Sequence, residues 1–191
     1  INGVNFGGWL VTEPSWMYDQ FSAQSENDLL QLWRNQGGDN YALSSIINHW
    51  RGYISDSDLD TIQQFGITAA RIPVGYWIVD APTTGGTMYD YGFNYEGFAT
   101  GGLNQLEAML VKLKQRNIRA VIDLHAVPGA GSSCNSYAGV MESDVESSFW
   151  QGTPPSSNQP HYSSTSLALF HPIVCSLFIV LLASLSPVCL P

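Results

Sequence analysis

Hydrophobic positions along the first 125 residues follow two alternating spacings. Gly3 to Phe6 is a short extended run, broken by Gly7 and Gly8. Residues 25–53 then carry Leu29, Leu32 and Trp33, followed by Ile46, Ile47 and Trp50, at helical intervals, with Gly37 and Gly38 dividing the stretch. That length predicts a helical excursion decorating one end of the fold rather than a simple connection. Ser55 with Asp58 three residues on resembles a capping box, Leu59, Ile62 and Phe65 mark one helical face, and Gly66 ends it. Ile67 to Pro73 reads as a strand, and a loop rich in Gly, Thr and Tyr runs from Val79 to Gly102. Leu103, Leu106, Leu110 and Leu113 mark the next helix, closed near Asn117, and Ile118 to His125 is the next strand. Strand, helix, strand, helix, strand predicts a parallel α/β fold.

The pattern changes after Glu146, since residues 147–191 contain no Lys, Arg, Asp or Glu. Thr153 to Thr165, rich in Pro, Ser, Asn and Gln, reads as a linker. Leu167 to Leu185 is an apolar run near the length of a membrane span, interrupted by His171 and Pro172 and lacking basic flanks. The expected organisation is a folded unit over 1–150, a polar linker over 151–166 and an apolar tail over 167–191. The tail reads first as non-coding sequence translated by mistake. A membrane or lipid-anchor signal and a buried helix are the alternatives, and a membrane partner enters only if 167–185 is genuine.

Composition narrows the partners. Only 12% of the chain is charged, and the formal charge of −9 argues against nucleic acid, whose binders present a basic face. It also argues against anionic polysaccharides and acidic lipid surfaces. A neutral ligand fits best. The three cysteines, Cys134, Cys175 and Cys189, have no metal-type spacing, so no metal site is expected. No phosphate-cradling glycine motif is present, and no cofactor is expected.

Strand alternation singles out the candidate chemistry. In Ala120 to His125, residues 121, 123 and 125 share one face, and Ile122 and Leu124 share the other, which is expected to pack on helices. Asp123 and His125 therefore point together, with His125 at the C-terminal end, where parallel barrels carry their sites. Ala69, Arg71 and Pro73 share a face of the preceding strand, placing Arg71 near the same rim. A buried Arg needs a partner, so Arg71 either forms a structural ion pair, with Asp123 as the candidate, or orients a functional carboxylate. His49 is expected to be a satisfied structural histidine and Trp9 a core residue. Trp77, just past a strand end, reads equally as a sugar platform or as core. Tyr89, Tyr91, Phe93 and Tyr95 either line a subsite or pack the loop.

Four runs carry a resemblance: GVNFGGWLVTEP (Gly3 to Pro14), HW (His49, Trp50), ARIPVGYW (Ala70 to Trp77) and VIDLHAVPG (Val121 to Gly129). In this order and spacing they resemble glycoside hydrolase family 5, and most of all its secreted exo-β-1,3-glucanases. The resemblance implies a (β/α)8 barrel, here truncated to about its first three βα units, because a complete barrel needs about 250 residues. It implies retaining hydrolysis of β-1,3-glucan by two glutamates about 5–5.5 Å apart, outside the cell or in the cell wall. Arg71 then matches the arginine that holds the nucleophile, and His125 a histidine near the catalytic centre. Glu13 matches a carboxylate that binds the terminal sugar. Trp77 joins the substrate-binding set as a platform, and Asn135 sits where the family often has a substrate-contacting Asn, although Gly131 to Cys134 departs from the usual sequence. The family acid lies in an Asn-Glu-Pro motif, and no such motif occurs in this sequence. The acid and nucleophile are therefore expected to be absent and this chain inactive by itself. The alternative is a membrane-tethered, non-catalytic glucan-binding protein.

Overall fold

The computed structural model describes residues 2–13, 23–127 and 139–140. Three parallel strands form its sheet: β1 (Gly3–Asn5), β2 (Ala69–Gly75) and β3 (Arg119–Ala126), side by side in the order β1-β2-β3. Between β1 and β2 lie α1 (Glu26–Gly52) and α2 (Asp56–Gln64), and between β2 and β3 lies α3 (Gly102–Gln115). The register aligns Asn5 with Arg71, Arg71 with Val121, and Pro73 with Asp123. The parallel α/β arrangement expected from the pattern is present.

The local signals act as their chemistry dictates. The Ser55 hydroxyl accepts from the Asp58 N–H while the Asp58 carboxylate accepts from the Ser55 N–H, so the expected capping box forms at the start of α2. Gly66 and Asn117, both with positive φ, turn the chain out of α2 and past α3. Within α1, Gly38 has φ 77° and ψ −177°, which divides the helix where the Gly37-Gly38 pair placed the break.

Apolar faces from all three helices meet the sheet in one core. Leu29, Leu30, Trp33, Ile46 and Trp50 come from α1, Leu59 from α2, Leu103, Leu106 and Leu113 from α3, and Ile72 and Val74 from β2. Trp9 lies within it as expected, its indole N–H donating to the Trp50 carbonyl at 2.7 Å. On the surface, Asp56 and Asp60 of α2 pair with Lys112 and Arg116, tying α2 to α3. Pairs so exposed contribute at most about 1 kcal/mol each.

One expectation about β3 fails. Ile122 packs against the core, but Leu124, expected on the same helix-covered face, is 37% exposed, and Val121 is 52% exposed. β3 is the last strand of the described sheet, so one of its edges has no neighbouring strand among the described residues. No helix among the described residues is long and apolar enough to cross a membrane. The linker 151–166, the run 167–185 and the three cysteines lie outside the described residues.

Candidate functional site

The C-terminal ends of the three strands converge on Arg71. Its Nη1 donates to Asn5 Oδ1 at 2.9 Å across the β1–β2 register, and its Nη2 donates to Asp123 Oδ2 at 2.6 Å. The same Asp123 oxygen lies 2.8 Å from His125 Nδ1, and Arg71 Nη2 lies 3.1 Å from that nitrogen. A guanidinium only donates, and an imidazole lone pair facing a carboxylate at this distance is repelled. The arrangement that satisfies all three groups has Nδ1–H donating to Asp123, so one carboxylate oxygen accepts from both neighbours. The ion-pair partner expected for Arg71 is therefore Asp123, with His125 joined to it. The two side chains are 41% and 31% exposed, so the main consequence of the pair is orientation rather than stability.

Glu13 arrives at this cluster from the β1–α1 loop. A Cβ built on Gly7 would lie 2.8 Å from Asn5 Nδ2 and 3.3 Å from Glu13 Oε1, so the glycine lets these groups flank the backbone closely. The loop is gripped from both ends of α1. Near its C-terminus, His49 Nε2 lies 2.8 Å from the Gly8 carbonyl and 3.1 Å from that of Trp9, and burial lowers the imidazole pKa. This is the structural histidine expected from the sequence. At its N-terminus, Glu26 Oε2 accepts from the Thr12 N–H at 2.8 Å and the Thr12 hydroxyl at 3.1 Å. Glu26 is 0% exposed, and burial pushes its carboxyl up to about 7 against the lowering effect of Thr12 and, more weakly, the Trp77 indole. Tyr53 is pushed up by burial first and by the charge of Glu13 second, which places that charge beside α1's end.

The first three turns of α1 also tie down the loops after the other strands. The Asn27 side-chain amide donates to the Glu96 carbonyl, and its backbone N–H to the Gly139 carbonyl, both at 3.0 Å. Arg34 donates to the Gly97 carbonyl and stacks over Phe93 at 3.8 Å. Within that loop the Tyr76 hydroxyl bonds the half-buried Glu96 carboxyl, which burial pushes up to about 7. Tyr91 and Phe93 pack against the core, while Tyr95 at the loop tip is 85% exposed.

Trp77 requires a correction. A 3-10 turn (Tyr76–Val79) follows β2 and carries the indole inward, where it is 2% exposed and stacked on Phe98 with centroids 3.9 Å apart and planes 5° apart. Side chains on Gly75 or Gly139 would collide with this ring. No open face remains for a sugar to stack on, so Trp77 is core rather than platform. Asn135 lies outside the described residues. Arg71, His125 and Glu13, by contrast, come from three different segments to one edge. Asn5 and Glu26 escaped the sequence reading. Asn5 was open to discovery, since it shares the Gly3 face of β1 and aligns with Arg71. Glu26 gave no signal, because an acid just after an N-cap serine is ordinary in a solvent-facing first turn.

No protein-family model matches the chain. A probable glucan 1,3-beta-glucosidase A of Aspergillus niger is 34% identical over 136 residues, covering 68% of this chain and 29% of its own length. The glucan 1,3-beta-glucosidase of Schwanniomyces occidentalis is 26% identical over 137 residues, with 68% and 30% covered. The chain is a homologue of the glucan 1,3-beta-glucosidases. It spans about three-tenths of the length of these relatives, and the resemblance carried by the four sequence runs is borne out. Among solved structures, the rutinosidase of Aspergillus niger superposes with a TM-score of 0.57 at 24% identity, covering 73% of this chain and 36% of that one. At that identity the likeness speaks for the fold of this glucosidase homologue alone.

Proposed function

We propose that this glucosidase homologue is the N-terminal portion of a (β/α)8 glycosidase acting on β-1,3-glucan outside the cell, and that its described edge recognises the terminal sugar. The observation that supports this reading is the convergence of Asn5, Arg71, Asp123 and His125 within 3.1 Å of one another along the chain of contacts, with Glu13 beside them. A neutral sugar suits such a site, because carboxylates accept from hydroxyls and amides both accept and donate, while Arg71 offsets the charge of Asp123. In the whole fold, Arg71 would hold the nucleophilic carboxylate ionised by placing a positive charge beside it. The retaining reaction also needs a second, protonated carboxyl about 5–5.5 Å away. This sequence holds no Asn-Glu-Pro motif to supply it.

Calorimetric titration of the chain with laminaribiose, cellobiose and gentiobiose tests the reading. Preferential binding of laminaribiose, lost in Glu13→Gln and Arg71→Ala, with no glucose released on prolonged incubation, is the expected outcome. Equal indifference to all three sugars would remove the recognition role. Gly7→Ala is expected to weaken laminaribiose binding by about tenfold or more, roughly 1.4 kcal/mol, because its methyl displaces Asn5 and Glu13. An unchanged affinity in that variant would show that neither group contacts the sugar.

A further inference from the structure

We propose that Glu26 is a positioning residue for sugar recognition, holding Thr12 from the first turn of α1 and so setting Glu13 against Gly7 and Asn5. The inference rests on the recognition role proposed above. An acid in a first helical turn ordinarily faces water, where the helix dipole makes it worth about 0.3–1 kcal/mol. Glu26 does the opposite. It is fully buried, with the Trp77 indole as its weaker neighbour, and its Oε2 reaches across to the preceding loop.

Stability alone does not account for such a group. Taking a carboxyl out of water costs free energy that an apolar side chain of similar volume would avoid. What the carboxyl supplies instead is geometry. One oxygen captures both the backbone N–H and the hydroxyl of Thr12, which fixes the backbone and the rotamer of that residue together. Thr12 is itself fully buried, so it is held on all sides as well as by this carboxyl. The next residue is Glu13, whose Oε1 then stands 3.3 Å from where a Gly7 Cβ would be, next to Asn5 and its bond to Arg71. The neighbouring Asn27 fixes the loop after β2 and the Gly139 segment from the same turn. Glu26 thus sets the one arm of the site that carries a sugar-binding carboxylate.

The test follows the Glu13 carboxyl and Asn5 amide resonances by NMR in Glu26→Leu and Glu26→Gln, beside laminaribiose affinity. In Glu26→Leu both sets of resonances are expected to move and affinity to fall about tenfold. In Glu26→Gln, whose amide oxygen can still accept from Thr12, both are expected to return to near the wild-type values. If the wild-type chain binds no sugar but the resonances still move in the Leu variant and return in the Gln variant, the recognition reading fails and the positioning role stands. A folded Leu variant with Glu13 and Asn5 unmoved overturns the inference, as do Leu and Gln variants that behave alike. Should the Leu variant not fold, Thr12→Val removes one of the two donors. A shift at Glu13 in the same direction supports the role, and none overturns it.

Discussion

Trp77→Ala is expected to lower unfolding stability by about 3–5 kcal/mol, measured by urea denaturation. Total stabilities are about 5–15 kcal/mol, so the variant stands near the threshold of folding. The size follows from what the ring touches. Its face is stacked on Phe98, Tyr76 meets it edge-on at 5.2 Å, and the glycines at 75 and 139 leave space shaped for an indole. Truncation leaves a cavity bounded by groups that cannot close in without moving β2's end and the loop carrying Phe98. Trp77→Phe keeps the stacking and is expected to lose about half as much. Its laminaribiose affinity should stay at the wild-type value, because the ring has no open face. A Phe variant of near wild-type stability with sugar binding abolished would restore the platform role.

The second large effect is a pH dependence of stability. Glu26 is raised from its ordinary 4.5 to about 7 by burial, so between those values the folded chain keeps a proton that the unfolded chain releases. Its contribution is complete below pH 4.5, declines as pH rises towards 7, and changes no further above it. A shift of this size corresponds to a loss on the order of 3 kcal/mol. Glu96, also raised to about 7 by burial, acts in the same direction with a smaller share because it is only half-buried. His49 opposes both. Its pKa is lowered by burial, so it adds stability above its ordinary 6.5 that is lost as pH falls. Asp58 and Asp90, lowered by hydrogen bonds, act only below about 4. Subtraction isolates Glu26: between pH 4.5 and 7 the wild-type chain should lose about 3 kcal/mol relative to Glu26→Gln, followed by urea midpoints. Parallel pH profiles for the two proteins would mean that Glu26 does not carry this proton.

The legible parts of the chain were those whose signal is local. The capping box at Ser55 and Asp58, the break at Gly37 and Gly38, and the spacing of Leu103, Leu106 and Leu113 each depend on residues within a turn or two. Strand parity then put Arg71, Asp123 and His125 on one rim, because a period of two leaves no other choice. What escaped depends on contacts across long separations. Trp77 turns inward because Gly75 beside it and Gly139 far along the chain vacate the space, and no spacing rule reveals the second. Glu26 carries no mark of burial in sequence, since its partner Thr12 is reached only after the β1–α1 loop folds back. Leu124 fails for the opposite reason: alternation gives the face, but not whether a helix covers it.

The most direct measurement of the proposed site is the set of side-chain resonances of Arg71, His125 and Asn5 while laminaribiose is added. Saturable shifts confined to these residues, Glu13 and their loop neighbours, absent with cellobiose and absent in Glu13→Gln, are the predicted result. Saturable shifts elsewhere on the chain with the Arg71 and His125 signals unmoved would contradict it, and would show that the sheet's C-terminal edge is not where this protein meets its sugar.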